Sequence, residues 1–128
     1  MILDTVVLID LEREIARGKA GPAMATLKRF ANHELFLTPT VAGELAAGES
    51  MRKHEVWSRF IEPFTLLTIN SQVCWEYGEL YRTLRSRGTM IGANDLWIAA
   101  TALAYNESLL SRNRSDFNKI SRLRLETY

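Results

Sequence analysis

Short aliphatic runs alternating with stretches of helical period predict an α/β domain: a central, mostly parallel β-sheet of four to five strands flanked by helices. The first observation is the set of runs at residues 1–7, 35–37, 64–68 and 108–111, each of strand length and separated by helical patterns. The second is the segment 96–104, apolar on nearly every side, which suits a helix buried against a sheet. The third is size: 128 residues fit a single domain, spanning 1–128, with one well-buried core.

In order along the chain, residues 1–7 read as a buried strand rich in β-branched and aliphatic side chains. A helix follows over 8–17 and ends at Gly18. Gly21-Pro22 opens a second helix with proline in its first turn and Met24, Leu27 and Ala31 on one face. After the strand at 35–37, Thr38-Pro39 supplies a hydroxyl N-cap followed by proline at the first helical position. That helix carries Val41, Glu44 and Leu45 and stops near Gly48. Another spans 51–61 and is ended by Pro63. Beyond the strand at 64–68, Asn70 or Ser71 caps a long helix with Val73, Cys74, Tyr77, Leu80, Tyr81 and Leu84 at a 3.6-residue period. A loop covers 88–93, the apolar helix starts at Asn94, and 123–127 forms an edge strand after the one at 108–111.

Composition narrows the function. With 47% hydrophobic and 24% charged residues the chain reads as globular, and a net charge of +1 announces no global field for nucleic acid. The charges are uneven, though: Arg112, Arg114, Lys119, Arg122 and Arg124 face only Asp116 and Glu126 beyond residue 111, and Arg82, Arg85 and Arg87 form a second group. Such groups serve either as solvated faces or as attractors for a phosphate backbone. One cysteine, Cys74, excludes a disulfide framework and a thiolate cage, and its place in the apolar pattern makes it a packing residue. Trp57, Phe60, Phe64, Trp75 and Tyr81 are read first as core. His33 and His54 have no partner at a metal-ligand spacing. No run reaches the roughly 18 to 20 apolar residues of a membrane span, and the opening lacks a signal peptide's basic region and cleavage site. The expected compartment is the cytoplasm.

Four acids stand where apolar elements start or stop: Asp4, Glu44, Asp95 and Asp116. A carboxylate inside a buried strand costs several kcal/mol unless it is paired, hydrogen-bonded or metal-bound. Each of the last three has an ordinary alternative: Asp95 as a helix cap beside Asn94, Asp116 as the third residue of a capping box begun by Asn113, Glu44 on a solvated helix face. Asp4, read as a strand residue, has no cap role open to it. Ligand crevices in such sheets lie beyond the carboxyl ends of the strands, where all four acids can meet. An oxygen-only cluster of this kind favours Mg²⁺ or Mn²⁺.

Ile2-Leu-Asp-Thr-Val-Val-Leu-Ile-Asp10, Thr40-Val-Ala-Gly-Glu44, the run from Ile91 through Asn94-Asp95 to Leu103, and Leu109-Leu-Ser-Arg-Asn-Arg-Ser-Asp-Phe117 resemble, in order and spacing, the signatures of PIN-domain proteins. With the ending Leu123-Arg-Leu-Glu-Thr-Tyr128, the whole chain resembles the VapC-type toxins of type II toxin–antitoxin pairs. That resemblance implies a PIN-like fold and a Mg²⁺- or Mn²⁺-dependent endoribonuclease, a hydrolase that cleaves RNA phosphodiester bonds with metal-activated water and leaves a 5′-phosphate and a 3′-hydroxyl. It implies Asp4, Glu44, Asp95 and Asp116 as catalytic metal ligands, with Asn113 as a helper and Ser111 at a position usually held by Thr or Ser. Arg112 and Arg114, beside the fourth acid, are expected contacts for substrate or antitoxin, together with Ser111 and Asn113. The implied partners are RNA, a cognate antitoxin and a second copy of the chain, with DNA reached only through the antitoxin.

Two residues depart from the pattern. Val6 stands where the family commonly has Asn, and Trp97 replaces an aliphatic residue, which is expected to alter packing only. Val6 gives a second reading, a PIN-fold binding or scaffold protein with a degenerate, catalytically weak metal site. A receiver-type signalling domain would want two acids after the first strand and a lysine near the last. A haloacid-dehalogenase-like phosphatase would want Asp-x-Asp where this chain has Val6. Neither pattern is present.

Overall fold

The computed structural model describes all 128 residues. Five short parallel strands form one sheet in the order β3-β2-β1-β4-β5: β1 Ile2–Leu3, β2 Phe36–Leu37, β3 Thr65–Leu66, β4 Leu109–Leu110 and β5 Leu125–Glu126. Helices α1 (Thr5–Ala16) and α2 (Pro22–Arg29) link β1 to β2, and α3 (Pro39–Ala47) and α4 (His54–Ile61) link β2 to β3. The chain then crosses back through α5 (Ser71–Ser86) and α6 (Ala93–Ala104) to β4, and a one-turn α7 (Arg114–Phe117) leads to β5. The expected mostly parallel α/β sheet is therefore entirely parallel, with β5 at an edge as the sequence predicts.

Strand order reverses between β1 and β4, which pair as Ile2 with Leu109 and Leu3 with Leu110. Their four side chains are fully buried and centre a core completed by Val7, Leu8, Ile98, Ala99, Ala100 and Phe117. A reversal of this kind splays the connections on either side and opens a crevice beyond the strand ends. No helix is long and apolar enough to cross a membrane.

The first strand is shorter than its composition predicts. Residues 4–7 do not extend it: Asp4 is the N-cap of α1, with extended backbone and its side chain accepting the Thr5 N–H at 2.8 Å. The β-branched pair Val6-Val7 sits in a helix because Val7, Leu8 and Glu14 fall on its buried face, so burial outweighs local propensity. The cap role thought closed to Asp4 is the role it holds.

The other starts follow the sequence more closely. Thr38 Oγ1 accepts the Val41 N–H at 3.1 Å with Pro39 next to it, and Asn70 Oδ1 accepts the Val73 N–H at 3.0 Å. Helix α2 has no side-chain cap of its own. The buried Glu14 carboxylate reaches across from α1 and accepts from Gly21, Ala23 and Met24 N–H at 2.8–3.0 Å. Burial alone would raise its pKa, and these donors hold it below the usual carboxylate range. A Cβ at Gly21 would lie 2.6 Å from Glu14 Oε1, which explains glycine there.

Two expected faces turn differently. Helix α2 buries Ala23 and Thr26 in place of Met24, Leu27 and Ala31. On α5 the buried set is Val73, Glu76, Leu80 and Leu84, while Cys74, Trp75 and Tyr81 are exposed. Glu76 is tolerated on the inner face because Arg122 from beyond α7 grips it with two bonds at 3.1 and 3.2 Å. Trp57, Phe60 and Phe64 do pack on the core. Trp97 stacks on Tyr77 with centroids 4.0 Å apart, a packing role that ties α6 to α5.

Candidate metal centre

The crevice at the strand reversal is a cavity of about 510 Å³ whose wall includes Asp4, Thr5, Val6, Glu44, Asp95, Arg112 and Asn113. The three acids of the wall arrive from separate parts of the chain. Asp4 leaves β1, Arg112 and Asn113 follow β4, Glu44 stands in the second turn of α3, and Asp95 lies in the first turn of α6. Gly92 is the N-cap of α6, so neither Asn94 nor Asp95 is spent as a cap.

Asp4 is almost wholly buried and doubly held. Besides the Thr5 N–H on Oδ1, its Oδ2 accepts from the fully buried Ser111 hydroxyl at 2.5 Å. Ser111 Oγ in turn accepts the Asn113 N–H at 2.9 Å, so the loop after β4 orients the hydroxyl that orients the acid. Burial raises the Asp4 pKa, and the two hydrogen bonds oppose that rise. Residue 6 supplies none of these bonds.

The remaining acids feel one another. Burial raises the pKa of Glu44, and the Asp4 charge adds to it. Thr5 and Asn94 lie close enough to counter this, yet neither makes a hydrogen bond of ordinary geometry to the Glu44 carboxyl. Both Thr5 Oγ1 and Glu44 Oε1 are buried without a partner. Asp95 is pushed up to about 6, by burial first and then by Asp4, Asp116 and Glu44. Asn113 Nδ2 bridges Asp95 and Asp116 with donations at 3.3 and 3.1 Å. Asn113 makes no capping bond to α7, so the expected capping box is replaced by this bridge.

Asp116 is not part of the cavity wall; it is tied to the wall residue Asn113 and pairs with Lys119 at 3.4 Å. Of the expected contact residues, Arg112 and Asn113 line the cavity and Ser111 lies beneath it. Arg114 points elsewhere, donating to Thr127 Oγ1 at 2.6 Å. No three acidic, histidine or cysteine groups stand close enough together to clasp an ion as they are. Mutual repulsion holds such carboxylates apart, and a divalent cation would draw them in. An all-oxygen donor set and two partnerless buried oxygens fit a hard cation such as Mg²⁺ or Mn²⁺. His33 lies against Phe30 and His54 against Trp57, so neither joins the site.

Sequence reasoning missed three participants. Thr5 sits beside Asp4 and offers its N–H to it, a role visible only once α1 is known to begin there. Asp10 and Tyr128 hold Arg112: Arg112 Nε and Nη2 reach Asp10 at 2.9 and 3.3 Å, and Tyr128 OH donates to Asp10 Oδ2 at 2.8 Å. Burial, then Asp10, push the Tyr128 phenol further upward, so it remains a donor. Nothing local marks a pair 118 positions apart.

The PIN-domain family model matches residues 1–123 of this five-stranded parallel fold. The chain belongs to the PIN-domain family. It is 34% identical over 132 residues to ribonuclease VapC1 of Haemophilus influenzae strain R2866, covering 99% of this chain and 96% of that protein. It is 31% identical over 136 residues to ribonuclease VapC of Rickettsia bellii, covering 99% and 95%. Within the family it is thus a VapC-type member. Among solved structures, VapBC2 of Rickettsia felis bound to a promoter DNA fragment superposes with a TM-score of 0.82 at 24% identity, over 99% of this chain and 97% of that one. VapBC-1 of nontypeable H. influenzae gives 0.77 at 26% identity, over 98% and 96%.

Proposed function

We propose that this chain is a divalent-metal-dependent endoribonuclease and the toxin of a toxin–antitoxin pair. The observation that carries the reading is the shared electrostatics of the crevice. Asp95 is lifted to about 6, by burial first and then by three other acids from separate elements, and a divalent cation would relieve that repulsion. The names of the relatives, ribonuclease VapC and VapC1, supply the substrate class.

Asp4, Glu44 and Asp95 would hold the cation, Mg²⁺ or Mn²⁺, with Asp116 joining directly or through water. When bound, the cation would lower the pKa of a water molecule and neutralise charge on the scissile phosphate. The chain's own part is positioning. Ser111 and the Thr5 N–H fix Asp4, and Asn113 sets the spacing between Asp95 and Asp116. Glu44 lines the cavity and has a buried oxygen without a partner, which suits it to hold the cation. Water oxygen would bond to phosphorus as the bond from phosphorus to O3′ breaks; the water gives up a proton and O3′ takes one up, and the ends left are a 5′-phosphate and a 3′-hydroxyl.

The partner reading rests on the VapBC assemblies to which the fold is similar. A cognate antitoxin covering the acidic crevice, and a homodimer of the chain, are the expected assembly, with DNA reached through the antitoxin. Val6 lines the cavity and motivates a second reading, a scaffold with a weak metal site. Asp4 is held without residue 6, which favours the active reading.

The test replaces Asp4 or Asp95 by Ala and measures Mg²⁺-dependent cleavage of total cellular RNA. Loss of cleavage is expected in both variants, and undiminished activity in either overturns the assigned site. Calorimetric metal binding by the native chain without cleavage of any RNA would favour the scaffold.

A further inference from the structure

Among the residues lining the acidic cavity, Arg112 is the sole cation. A phosphodiester entering a crevice walled by Asp4, Glu44 and Asp95 meets repulsion from all three. Metal charge offsets part of that at the scissile group, and a fixed guanidinium at the rim is the one protein group able to offset the rest. Arg112 is fixed. Its Nε and Nη2 edge is spent on Asp10, which leaves Nη1 without a partner in the chain. Arg13 also approaches Asp10, at 4.0 Å, so two guanidiniums share one carboxylate and the cluster stays positive. Tyr128 donates to Asp10 Oδ2, the oxygen that Arg112 Nε also reaches, and helps fix its orientation.

A second cavity, of about 320 Å³, is lined by Arg17, Arg112 and Tyr128 together with Asp10, Glu14 and Pro22; Arg112 and Arg13 engage Asp10, and Glu14 is taken up by the α2 N–H groups. Arg112 is thus the wall common to both cavities. A strand whose scissile phosphate sits among the acids would pass its neighbouring phosphate over this guanidinium. An arginine with one edge held and one edge free is pre-oriented for a phosphate oxygen, because the entropy of fixing it is already spent on Asp10.

We propose that Arg112 contacts a phosphate of the RNA backbone adjoining the scissile one, and that Asp10 and Tyr128 are its positioning residues. This rests on the ribonuclease reading and assigns Arg112 to substrate in preference to antitoxin. Arg114, committed to Thr127 away from the cavity, has no such role.

Steady-state cleavage and RNA binding test it together. Cleavage uses a fluorescein-labelled single-stranded oligoribonucleotide of mixed sequence with Mg²⁺, and binding uses anisotropy of the same probe in an Asp95→Asn background. Arg112→Ala should raise KM and weaken binding about 10- to 100-fold, the scale of a lost charge-assisted contact. The slope of log affinity against log salt should become shallower by about one. Arg112→Lys should recover part of the loss, and Tyr128→Phe should show a smaller effect in the same direction, about 2- to 10-fold. Metal affinity by calorimetry should not change in any of them.

A folded Arg112→Ala variant with unchanged KM and salt slope overturns the inference. So does a loss of metal affinity that parallels its loss of activity, or a loss confined to binding of a protein partner. The underlying reading fails separately. RNA that binds the native chain through Arg112 but is never cleaved keeps the phosphate contact and overturns the nuclease, and cleavage indifferent to Arg112 does the reverse.

Discussion

Replacing Asp95 by Asn should make the metal-free protein more stable at neutral pH while removing its activity. A carboxyl whose pKa rises from 3.8 unfolded to about 6 folded is disfavoured in its charged form by the fold. At full value that shift is about 3 kcal/mol. Asp95 is only partly buried, so solvent screening reduces the expected penalty to about 1–2 kcal/mol. The sign follows from proton binding: between pH 4 and 6 the folded chain holds a proton on Asp95 that the unfolded chain has lost. Its contribution to stability therefore falls as pH rises through that window and is fully lost above it. Asn carries no charge, and its amide oxygen still accepts from Asn113.

The assay is urea unfolding of both chains from pH 4 to 8, with a chelator and again with Mg²⁺. Glu14, whose folded pKa is lowered, acts in the opposite sense, since its contribution fades as pH falls. The difference between the two chains cancels it. That difference should be near zero at pH 4 and reach about 1–2 kcal/mol in favour of Asn by pH 7.5, about 4 °C in Tm per kcal/mol. Mg²⁺ should reverse the order by stabilising only the native chain appreciably. An Asn variant equal to or less stable than the native chain at pH 7.5 with chelator refutes the coupled cluster.

Three further substitutions probe the frame around it. Ser111→Ala removes a bond to a buried carboxylate and leaves the Asn113 N–H unpaired; chemical denaturation should show a loss of about 1–3 kcal/mol. With that opposing bond gone, the Asp4 pKa should rise further, moving the acid limb of the pH–rate profile upward. Val6→Asn should change RNA cleavage by less than about threefold, roughly 0.7 kcal/mol in the barrier, because Asp4 already has its hydrogen bonds; a gain beyond tenfold would show that residue 6 matters. Gly21→Ala drives a methyl into Glu14 while its carboxylate holds three N–H groups, and overpacking of this kind costs about 1–3 kcal/mol, read as a fall in Tm.

Where function was legible in the sequence, the signal was local and chemical. Thr38-Pro39 and Asn70 announced helix starts through capping chemistry, and the unbroken apolar run of α6 announced its burial. The acids stood out because each interrupts an apolar element. Tertiary demands hid the rest. Val6-Val7 read as strand because β-branching is visible in a sequence and the helical face it packs on is not. Cys74 and Tyr81 fit a helical period as well as the buried set does, and the deciding factor, Arg122 compensating Glu76, lies 46 positions away. The roles of Asp10 and Tyr128 left no trace, since their meaning is a contact between the two ends of the chain.

The misreading of Asp4 bears on how the site works. As a strand residue it would be an acid trapped in a core, stabilised only by metal. As the N-cap of α1 it has a structural partner in the Thr5 N–H and a second in Ser111, so it can stay in place with or without a cation. The helix dipole at its position favours a negative charge, which opposes the cost of burial. Glu44 and Asp95 have less support: one has an unpaired buried oxygen, and the other has a single long bond to Asn113 at 3.3 Å. The crevice is therefore graded, with a fixed acid at its base and two acids around it whose charge is tolerated best when a cation is present. Such a division lets the fold exist before metal arrives and still concentrates the electrostatic cost where the chemistry needs it.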